Sequence, residues 1–185
     1  MPELPEVETV KRSLEPHVKN RTITGVEVYY GGIIKYPGPA DFCRRLQGKI
    51  IREVGRRGKY LVFELSDDYT LVVHLRMTGQ LIVSKPGVPQ VKHTHLIFYL
   101  SDGQELRFVD IRKFGLIYLV KTGDRARIRG LHGLGPEPLD EGFTLALFEE
   151  LTGKAKGGLK AFLLNQTRIA GIGNIYADEI LFEAG

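Results

Sequence analysis

The start of the chain could supply a nucleophile. Met1 precedes a small residue, a pattern that favours removal of the initiator and would leave Pro2 with a free secondary amine. An α-amino group reaches its neutral form near physiological pH far more readily than lysine does, and a neutral amine adds to a sugar or aldehyde carbon to form a Schiff base. Glu3 adjoins it and Glu6 follows within one turn, so carboxyl groups stand where protons could be shuttled. The same residue types also suit an ordinary helix start, where proline is preorganised and carboxylates complement the dipole. Spacing alone leaves both readings open.

Other candidates are more dispersed. Lys59 opens a β-type segment and on its own could be a solvated lysine. His93 and His95 stand two apart, on one face if extended, yet a pair without a third ligand is weak support for a metal. Gly171-Ile172-Gly173 leads into Asn174, a turn that would expose backbone N–H groups at a helix start, where phosphate binds readily. Asn174 could cap that helix or touch a phosphate itself. Lys154, Lys156, Lys160 and Arg168 could extend a basic face, although each taken singly reads as solvated surface.

These groups need a scaffold. Leu4, Val7, Val10 and Leu14 recur at helical spacing, with Pro5 in the first turn and Pro16 as a stop. Seven β-type segments follow, at 24–30, 50–54, 59–65, 70–77, 95–100, 105–109 and 116–120. Ser66-Asp67-Asp68 and Ser101-Asp102-Gly103 are suitable hairpin connections. The expected class is α+β: an N-terminal antiparallel β-sandwich with flanking helices over 1–134, then a helical unit over 135–185 beginning at the Pro- and Gly-interrupted stretch Leu134–Leu139. Helices are expected over 143–152, 159–165 and from the glycine turn through Leu181.

The 185 residues are 43% apolar, enough for a substantial core, and carry a formal net charge of +4 that suits a polyanionic partner without requiring one. Cys43 is the single cysteine, which excludes an internal disulfide and a paired-cysteine zinc site and points to a reducing, cytoplasmic setting. Acidic residues at the N-terminus argue against a secretory signal, and no stretch has membrane-spanning length.

The string Pro2-Glu3-Leu4-Pro5-Glu6-Val7-Glu8-Thr9 resembles the opening of formamidopyrimidine-DNA glycosylases. The resemblance continues through Arg57–Tyr60, His74–Met77, Lys92–His95, Asp110–Gly115, Leu134–Leu139 and Gly171–Glu179, in family order along essentially the whole chain. It implies base-excision repair of oxidised purines in double-stranded DNA, with Pro2 attacking C1′ and the strand then cut by β- and δ-elimination. It assigns Glu3 as general acid/base, Lys59 to proton transfer and phosphate contact, and Glu6 to the same acidic cluster. It also implies that Met77, Arg112 and Phe114 fill the gap left by the flipped nucleotide, although a methionine or phenylalanine taken cold would more often be core. His93, Lys156 and Asn174 are implied DNA contacts, His95 and His74 structural residues. Leu4, where the endonuclease VIII branch more typically has glycine, favours the purine branch.

The resemblance further implies a monomer and a structural zinc in a four-cysteine finger beyond the point matching Gly185. No such finger is present in these residues, so the expectation is a chain truncated before it, with no metal or cofactor of its own and impaired DNA binding. The rival readings are a non-catalytic DNA-binding module and an endonuclease VIII-like enzyme for oxidised pyrimidines.

Overall fold

In a computed structural model that describes residues 1–155 and 157–185, the chain opens with helix α1 (Leu4–Val18), whose buried stripe is Leu4, Val7, Leu14 and Val18. Pro16 does not end it, contrary to expectation. A proline so near the helix end removes one ladder bond, and the ladder resumes when the Lys19 N–H donates to the Glu15 carbonyl at 3.0 Å.

Nine strands follow among the described residues: β1 (Ile23–Val28), β2 (Ile34–Tyr36), β3 (Ile51–Arg57), β4 (Tyr60–Leu65), β5 (Tyr69–His74), β6 (Gly79–Ser84), β7 (Thr94–Leu100), β8 (Glu105–Asp110) and β9 (Leu116–Lys121). They form a four-stranded sheet ordered β1-β7-β8-β6 and a five-stranded sheet ordered β2-β9-β5-β4-β3. Pairing is antiparallel throughout except for the short edge strand β2, which runs parallel to β9. Helix α2 (Pro39–Leu46), unforeseen in the sequence, buries Phe42 and Leu46 in the same core.

Inward residues of both sheets build that core, among them Phe63, Leu71 and Leu119 facing Phe98 and Phe108. Each such side chain contributes about 1.5–3 kcal/mol on burial. The connection between β4 and β5 holds Asp67 and Asp68 at φ of 57° and 56°, a left-handed pair that aspartate tolerates.

The remaining helices are α3 (Arg129–His132), α4 (Leu145–Gly153), α5 (Leu159–Leu164) and α6 (Asn174–Ala184). A separate apolar cluster of Phe162, Leu163, Ile169, Ile172 and Ala177 holds α4, α5 and α6 together. Among the described residues no helix is long and apolar enough to cross a membrane.

Candidate functional site

Glu3 is 2% exposed and its carboxylate is engaged far from α1. Its Oε2 accepts the N–H groups of Gly173 at 2.7 Å and Tyr176 at 3.3 Å, and its Oε1 accepts that of Ile175 at 3.0 Å. A residue at the start of the chain thus caps the N-terminus of α6, satisfying donors that a helix otherwise leaves without partners. The glycines make room for it: a Cβ on Gly173 would lie 2.3 Å from Glu3 Oε1, and one on Gly171 would lie 2.5 Å from Leu4. Gly171 also has φ of +88°, and its carbonyl accepts the Leu4 N–H at 3.1 Å.

This arrangement corrects one expectation. Asn174 does not cap α6, whose N-cap is Gly173, and the N–H groups of Gly173, Ile175 and Tyr176 are taken by the Glu3 carboxylate. The exposed Asn174 instead lines the cleft described below. Glu6 closes the acidic cluster: its Oε2 accepts the Glu3 N–H at 2.8 Å and its Oε1 the Tyr176 hydroxyl at 2.7 Å. Partial desolvation works against its ionised form, but these two donors hold the Glu6 carboxyl below the usual range.

Lys59 lies in the turn between β3 and β4 and is 7% exposed, which rules out the solvated-lysine reading. Burial pushes its ammonium below the ordinary lysine range, while Glu3 and Glu6 pull it back up. It makes no ion pair among the described residues. What fixes its turn is a buried charge network. Glu137 accepts the Gly58 N–H at 2.6 Å, Arg56 Nη1 at 2.6 Å and Arg57 Nη1 at 2.7 Å, while Arg56 Nε also donates to Glu8 at 2.9 Å. Arg57 Nη2 reaches the carbonyls of Leu134 and Gly135, at 2.8 and 2.7 Å.

Met1, Lys59, His74, Arg76, Arg129, Ile172, Gly173 and Asn174 all line a cleft of about 420 Å³ between the sandwich and the helices. Pro2, half-buried, lies between Met1 on the cleft wall and the anchored Glu3.

His74 is buried beneath this cleft, as expected of a packed histidine with a satisfied bond. Its Nδ1 accepts the Arg76 backbone N–H at 3.0 Å, and its ring meets Tyr60 edge-on at 4.6 Å. Burial, reinforced by Arg76 and Lys59, holds its pKa down from 6.5 to about 3. The unfolded chain binds a proton in that interval and the folded chain does not, so this contribution to stability is complete above pH 6.5 and is lost as pH falls toward 3. His74→Gln keeps an acceptor for Arg76 but removes the titration. Its melting temperature is expected to vary less with pH than the wild type's between 6.5 and about 5, where carboxylates barely titrate. Equal slopes in thermal melts would overturn the assignment.

The second group is organised by Asp110, fully buried at the end of β8. Its Oδ1 accepts the Thr78 hydroxyl and, at 3.2 Å, the Arg112 N–H; its Oδ2 accepts the Gly115 N–H at 2.8 Å. One carboxylate therefore ties the loop carrying Met77 to the loop carrying Arg112 and Phe114. Both loops present their side chains outward, Met77 at 44% and Phe114 at 50% exposure, with the Arg112 guanidinium 4.7 Å from the Phe114 ring centre. Met77 was expected at a strand end. It lies instead in a tight turn closed by the Gly79 N–H donating to the Leu75 carbonyl at 2.9 Å, which ends β5 at His74 and starts the unforeseen β6.

His93 is half-buried in the left-handed region, at φ 67°, and its carbonyl accepts the Asp110 N–H at 3.0 Å. His95 is buried, with Nε2 2.7 Å from the Asp110 carbonyl. They do not form a metal pair: among the described residues no three His, Cys, Asp or Glu side chains converge. With Cys43 the single cysteine, these residues do not fit the four-cysteine zinc site that the resemblance implies.

Lys154 and Lys160 are tied to Glu150 at 2.6 Å and Asp178 at 2.5 Å, and Lys156 lies outside the described residues. Arg57, Glu137 and Asp110 fall within stretches that carry the resemblance but had no role assigned, and Arg56 and Thr78 were not singled out; all five position the site from outside it.

A β-sandwich joined through its own N-terminus to a glycine turn and helix defines a two-part class. A model of the formamidopyrimidine-DNA glycosylase N-terminal domain matches residues 1–117, and one of the formamidopyrimidine-DNA glycosylase H2TH domain matches residues 134–185. The formamidopyrimidine-DNA glycosylase of Moorella thermoacetica is 52% identical over 186 residues, covering 100% of this chain and 68% of that protein. That of Bacillus subtilis is 48% identical, covering 100% and 67%. A solved complex of Lactococcus lactis Fpg with DNA containing an abasic site superposes with a TM-score of 0.87 at 41% identity, covering 97% of this chain and 65% of that one. A complex of the same wild-type protein with oxidised-pyrimidine DNA gives 0.88 at 41% identity. The chain belongs to the formamidopyrimidine-DNA glycosylase family and spans about two thirds of the length of these relatives.

Proposed function

We propose that this chain carries out base-excision chemistry on damaged or abasic sites in double-stranded DNA, as a glycosylase and strand-cleaving lyase. What carries the reading is the meeting of the chain's start, the buried Lys59 and the α6 turn around one cleft. The nitrogen of Pro2, freed of Met1, attacks C1′ of the flipped nucleotide. The base leaves with the electrons of its glycosidic bond and a proton, and the opened sugar is held as an iminium. Loss of a C2′ proton then expels the 3′ phosphate, and a second elimination expels the 5′ phosphate.

Glu3 places the nucleophile. Its carboxylate, held by three N–H groups of the α6 start, fixes the backbone that carries Pro2. Lys59, whose ammonium burial pushes below the ordinary lysine range, exchanges protons during elimination and meets a phosphate; Glu6 supports the cluster.

Met77, Arg112 and Phe114 occupy the space vacated in the duplex, on loops that Asp110 couples. His93, Asn174 and Lys156 contact the backbone. The sandwich unit covers 1–134 and the helical unit 135–185. A monomer is the expectation that family membership carries, and the single free cysteine fits a reducing cytoplasm.

Oxidised purines are the first expected lesions, and the oxidised-pyrimidine complex of the Lactococcus lactis protein supports testing pyrimidines beside them. Duplexes carrying 8-oxoguanine or a formamidopyrimidine should be incised in preference to one carrying thymine glycol. Lys59→Gln should slow strand cleavage by roughly 10²- to 10⁴-fold, the range for loss of a proton-transfer group. A protein that binds these duplexes and incises none of them would be a DNA-binding module instead.

A further inference from the structure

A second recess shares a wall with the cleft. Lys35, Tyr36, Tyr118, Val120, Arg127 and Arg129 line a pocket of about 450 Å³, and Arg129 lines the cleft as well. The parallel pairing of β2 with β9 sets Tyr36 and Tyr118 side by side as register partners, giving the pocket an aromatic floor. The Arg127 guanidinium lies 5.4 Å from the centre of the Tyr36 ring, and Lys35 Nζ donates to the Gly32 carbonyl at 2.6 Å.

The charge in this pocket is poorly compensated. Arg127 has one carboxylate nearby, Asp124 at 3.8 Å, and Arg129 makes no side-chain hydrogen bond or ion pair among the described residues. Elsewhere arginines such as Arg21, Arg56, Arg57, Arg107 and Arg125 are matched to carboxylates within 2.9 Å. Cations left close together without counter-charge repel one another, a cost that an incoming anion relieves. Two arginines lining one pocket, with Arg127 beside the Tyr36 ring, suit a phosphodiester, whose oxygens take the planar N–H fork while the adjoining sugar or base rests on the aromatic floor.

We propose that this pocket is an auxiliary phosphate-binding recess. Arg129 and Arg127 hold a backbone phosphate of the DNA strand beyond the nucleotide that enters the cleft. Arg129 is the shared wall across which the strand passes. The inference rests on the base-excision reading and extends its DNA path along the sandwich.

The test is the salt dependence of binding to an abasic-site duplex, combined with a scan in which single phosphates are replaced by neutral methylphosphonates. Arg127→Gln with Arg129→Gln should lower the slope of log affinity against log salt by about 1, the loss of one neutralised phosphate. Arg129→Lys should retain most of the slope, because it keeps the charge. In the wild type one flanking methylphosphonate should weaken binding about 10-fold, as loss of one charge-assisted contact does. The same substitution should have no effect on the double variant. Both arginines are exposed, so unchanged melting temperatures should accompany these losses. An unchanged slope and an unchanged methylphosphonate profile in the double variant would overturn the inference alone. A wild-type chain that fails to bind any lesion duplex would overturn the base-excision reading and this inference with it.

Discussion

A form of the protein whose Pro2 nitrogen is tied up in a peptide bond, through retained Met1 or an N-terminal extension, is expected to give no borohydride-trapped adduct with abasic DNA. The processed chain gives one. The expected drop is roughly 10³-fold or more, the scale on which loss of a covalent nucleophile is felt. Acylation removes the lone pair from the nitrogen, so the effect does not depend on disturbing the fold. Pro2→Gly is the milder companion, since it keeps an amine at the same place but loosens the backbone that aims it. Mass mapping of the adduct decides the matter. Attachment at Lys59, the other amine on the cleft, with full yield from a blocked terminus, would transfer the nucleophile's role to that residue.

Glu137→Leu is expected to cost about 2–4 kcal/mol of stability, because it leaves the buried Arg56 with Glu8 alone, takes the carboxylate partner from the partly exposed Arg57, and leaves the buried Gly58 N–H without its acceptor. For a chain of this size that corresponds to a fall of roughly 10 °C in melting temperature. Burial opposes the ionised form of Glu137, but the Gly58 N–H, Arg56 and Arg57 hold its carboxyl below the usual range. Its stabilisation is therefore present at neutral pH and is lost in acid, as it is for Glu8, held at about 2. Pairing Glu137→Leu with Arg56→Met should recover part of the loss, since the stranded charge is then gone. A melting temperature within about 2 °C of wild type for the single variant would show that the network does not support the fold.

How much of this was legible beforehand differs by element. Amphipathic spacing announced α1, and alternating or continuous apolar runs announced most strands, because those patterns are written locally. The strand β6 and helix α2 were not announced. Each offers two or three apolar positions within six or eight residues, too few for a period to emerge.

The chemistry-bearing types at Pro2, Glu3 and Lys59 were visible, but their spatial meeting was not. Glu3 acts on Gly173, Ile175 and Tyr176, and Asp110 acts on Thr78, over separations that no local rule reaches. The polar residues that fix a loop are short on periodic signal because each is placed by one partner, and that partner is decided by topology.

The anchoring of the first turn of the chain onto the start of its last helix has a temporal side. During synthesis the amino terminus leaves the ribosome first, whereas residues 173–176, which supply its socket, emerge some 170 residues later. A contact of such sequence range closes late in folding. The first turn is accordingly loose and accessible until residues 173–176 have been made, and only then is it seated. In a nascent molecule the first turn is thus not yet anchored, and its geometry is set only once it has met the start of α6.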